Sequence, residues 1–479
     1  MSDCAMLSAT QLISGFRRRT LSPVEVMCAV LDRATRLDPQ VNGLCGIDEE
    51  GALAAACEAE DRWARRAPCG PLDGVPISVK DLVAVRGLPT RFGSLTARAD
   101  LEHTDAPAVA RLRRAGAIPF GKTTTSEFGN KIVTDSPLTG VTRNPWDTRR
   151  SAGGSSGGSA VAVALGMGPL SLATDGGGSI RIPACWSGVV GFKPSFDLVP
   201  AGSASSFTAL STLGPIARSV EDAALMLGVM AGPVSADRFA RVEGGRDYCT
   251  GLTDGIAGLR IAFSQRPTGV QVDPAIAACV RRAARLLEAL GAHVEEVEVP
   301  PLTGYMASKM HSIQWAVSFA RRARAMSDEQ RAQLDPDVRE LAEFGEQIGT
   351  AAFVDALAAR HTLVEEMGGF FEEYDLLVTP TFHMAPPPVP GLPNALRMAP
   401  PLTSWCNQTG QPAVSVPCGL ADEHLPVGLQ IIGARGTDAR VLRAARAYES
   451  ARGPFLEPPM VGADVLAQLA SRPSASIPS

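Results

Sequence analysis

The chain is poor in lysine. Of its 45 basic residues only Lys80, Lys122, Lys131, Lys193 and Lys309 are lysines; all others are arginine. Arginine keeps its proton in a protein, whereas a desolvated lysine can lose it, so a lysine set in an apolar stretch asks for a reason. Aromatic residues are scarce too, at 5%. Neither sign of charge dominates: the formal net charge is -5, which makes no electrostatic case for nucleic acid or an anionic membrane as partner. No run of about 18 uninterrupted apolar residues is present, which excludes a helical membrane span. The opening MSDCAMLSATQLISGFRRRT lacks a basic start, an apolar core and a small-residue cleavage site, so no signal peptide is expected and the location predicted is cytoplasmic. Ten cysteines are scattered without CxxC pairs or metal-ligand spacing. Most read as small buried hydrophobes in a reducing compartment, with no metal site and no cofactor.

What is present is ordinary globular composition, 45% hydrophobic over 479 residues, enough for a large core. Helical periodicity is found near 6–16, 22–37, 51–66 and 106–115, the second opened by Ser22-Pro23 as cap and first turn. Strand patterns are found at 74–81, 117–121, 169–173, 188–192, 259–263, 293–299, 375–379, 413–417 and 427–432. Helices between most of them predict an α/β fold with a buried sheet. Residues 303–373 read as almost wholly helical, an insert carrying Met306, Met310, Trp315, Phe319 and Phe344. The proline-rich 385–401 reads as a loop and the final SRPSASIPS as a frayed tail.

Two glycine-serine clusters, SAGGSSGGSA at 151–160 and TDGGGSIR at 174–181, flank an apolar run. A flexible linker would join polar ends, so that reading fails. Gly116 to Thr123 matches GxxxxGK followed by Thr, the phosphate-binding loop, but a helix precedes the first glycine and AIPF is itself strand-like. Gly153-Gly154-Ser155-Ser156-Gly157 matches the nucleophile elbow GxSxG, for which His383 or His424 would serve as base. Neither histidine has distinguishing neighbours, and the elbow leaves DGGGS unexplained. Acyl transfer explains both clusters: glycines ending in serine present backbone N–H groups as an oxyanion hole beside a hydroxyl nucleophile. A serine needs a base. With no histidine in either cluster, Lys80 in the apolar strand VPISVK is the choice, because desolvation disfavours its charged form.

Taken together, GVPISVKD, GGSSGGSA and TDGGGSIRIPA resemble the amidase signature hydrolases. GAIPFGKTTTSEF, RNPWD, GFKPS, STLGPIARSVEDAALML and NQTGQPAVSVPCG extend the likeness over roughly 5–233 and 375–450. The resemblance implies a three-layer α/β/α sandwich with a large central mixed β-sheet. It implies one amidase domain over 1–460, with a signature core about 70–235, the helical insert 303–373 as a pocket wall, and a tail 461–479. It also implies a Ser–cis-Ser–Lys triad. Ser179 attacks and forms the acyl-enzyme, Ser155 follows a cis peptide from Gly154 and relays the proton, and Lys80 is the base. The oxyanion donors would be the N–H groups of Gly176, Gly177, Gly178 and Ser179. Ser156 and Ser159 read as capping or lining the helix that starts there, Asp175 and Arg181 as bracing the glycine loop, and Lys122 as solvated or structural at a strand end. The loop near Gly129 is expected to face the leaving group.

Three functions are weighed. The first is a free hydrolase of neutral, hydrophobic amides or anilides, extending to carbamates (urethanes), working as monomer or homodimer on a small-molecule substrate. The second is the glutaminase-type subunit of a tRNA-dependent amidotransferase. That subunit continues after GFKPS with a YGRVSRYG-like segment, whereas this chain has FDLVPAGSASSFTALSTLGP, which favours the first. The third is an α/β-hydrolase with a histidine-based triad. The insert and the loop 196–212, with their Met, Trp, Phe and small residues, are expected to shape an apolar, roomy acyl pocket without a carboxylate clamp.

Overall fold

The computed structural model describes residues 4–200, 210–235, 246–390, 400–421 and 424–462. Among these residues thirteen strands are formed: β1 (Leu44–Ile47), β2 (Pro76–Lys80), β3 (Ile118–Thr123), β4 (Asp135–Ser136), β5 (Gly140–Val141), β6 (Leu170–Asp175), β7 (Val190–Lys193), β8 (Thr212–Ala217), β9 (Arg260–Phe263), β10 (His293–Glu296), β11 (Leu376–Pro380), β12 (Ala413–Ala421) and β13 (Leu425–Gly433). Eleven of them make one sheet in the order β1-β3-β2-β6-β8-β7-β12-β13-β11-β9-β10. It is mixed: β3, β2 and β6 run parallel, as do β11, β9 and β10, while β8, β7, β12 and β13 pair antiparallel. Helices cover both faces, giving the three layers expected.

Strand alternation separates the two cores. Ile77 and Val79 of β2, with Leu170 and Leu172 of β6, enter a large cluster with residues of the helices Pro107–Arg114, Val220–Met230, Pro274–Ala289 and Asp438–Arg452. On the other face, Ala173 packs with Ala160 and Val163 of the helix Gly157–Ala164, with Ile180, and with Ala184 of the helix Arg181–Ser187. Period-two geometry therefore sends Ser78 and Lys80 to the side where both glycine-serine clusters lie.

The predicted strands are all formed, but two members of the sheet were not anticipated. β1 is only four residues long and carries two exposed positions, so its alternation is too brief to read. β8 contains Gly214 and Pro215 within TLGPIA, residues that argue against a strand, yet it is buried between β6 and β7. The insert is helical as expected: Tyr305–Ser308, Met310–Arg324, Asp328–Ala332, Pro336–Gln347 and Thr350–Glu373. Phe344 does not serve its core, being 47% exposed. Residues 201–209 of the expected pocket loop, 391–399 of the proline-rich loop and 463–479 of the tail lie outside the described residues. No described helix is long and apolar enough to cross a membrane.

Candidate active site

β2 and β6 are parallel neighbours with Val79 opposite Leu172, so the ends of both strands open at one edge. Lys80 closes β2, and the turn Gly176-Gly177-Gly178-Ser179 follows β6. The first cluster arrives from the other direction, as the loop before the helix Gly157–Ala164. Ser156 N–H donates to the Ser179 carbonyl at 3.3 Å and ties the clusters together. The Gly154–Ser155 peptide is cis.

Lys80 is fully buried. Its Nζ donates to Ser155 Oγ at 2.7 Å, Ser156 Oγ at 2.8 Å and Thr174 Oγ1 at 3.0 Å. Burial pushes its pKa well below the usual lysine range, and the charge of Asp175 opposes that only in part. With its charge disfavoured, an amine at the end of a chain of hydroxyls is suited to accept a proton. Ser155 is buried, and Ser179 is partly open to solvent.

Ser156 differs from expectation. It occupies the N-cap position, but its side chain makes no capping bond; its hydroxyl reaches Lys80 and donates to the Thr174 carbonyl at 3.1 Å. Thr134 does the capping instead, its Oγ1 accepting from Gly157 N–H at 2.9 Å and donating to the Gly153 carbonyl at 2.9 Å. Ser159 faces β3, sharing a 2.7 Å hydrogen bond with Thr123 Oγ1. Neither Thr134 nor Thr174 stood out in the sequence; Thr174 was detectable only as the residue before DGGGS.

Asp175 and Arg181 brace the turn as expected. The carboxylate accepts from Gly178 N–H at 2.7 Å, Ile180 N–H at 3.1 Å and both Nε and Nη2 of Arg181. Burial alone would raise the Asp175 pKa, but the Arg181 guanidinium holds it below the usual carboxylate range. Arg181 also donates to the Thr403 carbonyl, Gln430 Oε1 and Asn407 Oδ1. One expected oxyanion donor is thereby committed elsewhere: the Gly178 N–H points at Asp175. Gly178 adopts φ +132° against Thr403, a conformation open to glycine and strained for other residues. Thr403 Oγ1 also donates to the Gly177 carbonyl at 2.6 Å.

Gly129 is brought to the site. A Cβ there would lie 3.3 Å from Ser155 Oγ and 2.9 Å from Leu82 Cδ1. The insert also reaches the Gly176–Gly177 turn, and Trp315 Nε1 donates to Asn130 Oδ1 at 3.2 Å beside Gly129. The Trp315 ring comes 3.0 Å from where a Gly176 Cβ would sit, and His311 Nε2 comes 3.0 Å from the Gly177 position. His311 and Trp315 are stacked with centroids 5.5 Å apart. Burial lowers the His311 pKa to about 4, so the ring is neutral. His311 was missed because a lone histidine on a helix has no local pattern. His383 lies by the Asp273 N–H at the start of Pro274–Ala289, and His424 lies in the turn joining β12 to β13.

Lys122 takes the structural of the two roles expected for it. It is not solvated: in β3 it is 1% exposed, donates to the Val83 and Pro89 carbonyls and to Thr90 Oγ1, and pairs with Asp81 at 3.1 Å. The segment that matches the phosphate-loop pattern is thus the strand its AIPF residues predicted, holding a structural cation.

A family model described as Amidase matches residues 25–442. The chain is 36% identical over 457 residues to an acylamidase of Rhodococcus erythropolis, covering 93% of this chain and 95% of that one. It is also 36% identical over 490 residues to the A subunit of the glutamyl-tRNA(Gln) amidotransferase of Salinispora arenicola, covering 96% and 100%. Among solved structures, a bacterial aryl acylamidase of the amidase signature enzymes superposes with TM-score 0.87 at 30% identity, covering 98% of this chain and 99% of that one.

Proposed function

The chain belongs to the amidase family, and from that premise we propose that it is a free hydrolase of neutral, hydrophobic amides and anilides whose range extends to carbamates. Amide hydrolysis is the activity of the family; the substrate range and the roles of individual residues are our reading. The observation that carries it is the buried Lys80 amine bonded to Ser155 Oγ at 2.7 Å. Ser155 takes the proton of Ser179 and passes it toward Lys80 as Ser179 Oγ bonds to the carbonyl carbon. The N–H groups of Gly176, Gly177 and Ser179 are the donors proposed for the oxyanion, Gly178 being held by Asp175. Collapse breaks the C–N bond, the amine leaves with the proton returned through Ser155, and water releases the acyl group and regenerates Ser179.

Neutral substrates are supported by the charges around the turn. Arg181, the cation nearest it, is saturated by Asp175, Asn407, Gln430 and the Thr403 carbonyl. Beside the Gly176–Gly177 turn stand His311 and Trp315, which offer no charge to a glutamine carboxylate. The sequence following GFKPS supports the same choice over the amidotransferase reading. Cytoplasmic location belongs to this proposal and is supported by ten cysteines that form no disulfide with one another. The test is a panel of 4-nitroanilides, an aryl carbamate and glutamine with the wild type and Ser179→Ala. Turnover of the nitroanilides that disappears in Ser179→Ala is expected; hydrolysis of glutamine alone would favour the amidotransferase reading.

A further inference from the structure

We propose that the chain carries a second small-molecule site, remote from Ser179, which takes a zwitterion of the α-amino acid type. The inference stands on a cavity and its charges and is independent of which amide is hydrolysed.

β9 leads through the helix Pro274–Ala289 into its parallel neighbour β10. The carboxyl ends of parallel strands joined in this way leave a crevice where ligands bind. Here the crevice is a cavity of about 440 Å³, lined by Ser264, Gln265 and Arg266 after β9 and by Glu296, Val297 and Glu298 at the end of β10. That volume accommodates a small organic molecule. It opens away from Lys80. From β6 through β8, β7, β12 and β13 to β11 every pairing is antiparallel, and β9 runs parallel to β11. β9 is therefore opposed to β2 and β6, and its carboxyl end lies at the other edge of the sheet.

Two polar side chains of the lining are unmet. Ser264 is 3% exposed; its N–H donates to the Val378 carbonyl at 3.0 Å, but its hydroxyl has no partner among the described residues. Gln265 Nε2 is buried without a partner. Polar groups left unpaired in this way are destabilising, and a ligand that bonds to them recovers part of that cost. The charges name the ligand. Arg266 and Arg281 line the same cavity as Glu296 and Glu298, and Arg281 meets Glu296 at 3.5 Å with both side chains about half exposed, a pair weak enough to be parted. A simple anion would face two carboxylates and a simple cation two guanidinium groups. A molecule with separated opposite charges satisfies both: its carboxylate goes to the arginines and the Ser264 hydroxyl, its ammonium to the glutamates. Val272, Ala277 and Val297 offer apolar surface to a hydrocarbon side chain.

The test is titration calorimetry of the full chain carrying Ser179→Ala with L-leucine, L-leucinol, which lacks the carboxylate, and N-acetyl-L-leucine, which lacks the ammonium. L-leucine is expected to bind, and each analogue about tenfold more weakly or worse, the size of one lost charged hydrogen bond. Arg281→Ala and Glu298→Gln, at exposed positions, should each weaken L-leucine by a similar factor. In the chain that keeps Ser179, neither substitution nor added L-leucine should slow fluorophosphonate labelling. Absence of binding, equal binding of the three compounds, or binding that neither substitution weakens overturns the inference. Competition between L-leucine and the fluorophosphonate overturns it too, by placing the amino acid at Ser179.

Discussion

At the scale of single residues, the scarcity of lysine proves to be a map of the interior. Lys80, Lys122, Lys131 and Lys193 are all buried, and only Lys309 stands in solvent. Three of the four serve the structure. Lys122 pairs with Asp81, Lys131 with Asp335 at 2.7 Å and Asp337 at 3.1 Å, and Lys193 donates to the Pro194 carbonyl. Lys80 differs in having only side-chain hydroxyls in contact with Nζ, which leaves its proton weakly held. Lys80→Ala should lower kcat by roughly 10²–10⁴-fold, the range of general acid–base catalysis, whereas His383→Ala and His424→Ala should leave it within about twofold of wild type. Ser179→Ala should lose turnover and fluorophosphonate labelling together, read by intact mass. The pH dependence follows from the same amine. Its neutral form is the base, and burial sets its pKa below that of a free lysine, about 10.4. Hence kcat/KM should rise with pH until Lys80 is deprotonated and then level off. A profile that falls as pH rises over that limb would remove Lys80 from the base role.

At the scale of elements, the two glycine-serine clusters are held by neighbours both adjacent and far away in sequence. Asp175 and Arg181 lock the turn after β6, and Asn407 binds both the Asp175 carbonyl and its carboxylate. Asp175→Ala would leave Arg181 buried with one fewer anion, a change that costs about 3–5 kcal/mol. Urea unfolding should show that loss, and activity should fall with it because Gly178 is released. The insert is tied down by different chemistry. Lys131 bridges to the start of the helix Pro336–Gln347, Glu127 accepts from Asp335 N–H at 2.7 Å, and Arg322 lies 4.3 Å over the Phe128 ring. Lys131→Ala should therefore make the segment 325–350 more sensitive to limited proteolysis and raise KM several-fold, the wall carrying His311 and Trp315 having loosened. Protease resistance equal to wild type would show that the helices hold without it.

At the scale of the whole molecule, one sheet separates two cores and delivers the site to the edge where β2 and β6 end, the usual place for a site in an open α/β sheet. Local stability should follow this plan. Hydrogen exchange should be slowest in β2, β6 and β8, which lie inside the sheet, and faster in Met310–Arg324 and Pro336–Gln347, which rest on one side of it. Acylation of Ser179 by a fluorophosphonate should slow exchange in Met310–Arg324, since that helix faces the turn; no change there would place the insert away from the acyl group.

The local order of residues by itself determined the helices, nine of the strands, the two glycine-serine clusters and Lys80. Periodicity, caps and a lysine in an apolar strand are properties of neighbours along the chain. Only the tertiary structure decided which hydroxyls Lys80 meets, that Thr134 rather than Ser156 caps the helix, that Gly178 N–H belongs to Asp175, and that His311 stands beside Gly177. β1 and β8 were decided in the same way, one too short and one too rich in glycine and proline to declare itself. Each of these depends on which surface folds against which, and a hydrogen bond between residues a hundred positions apart leaves no period to read.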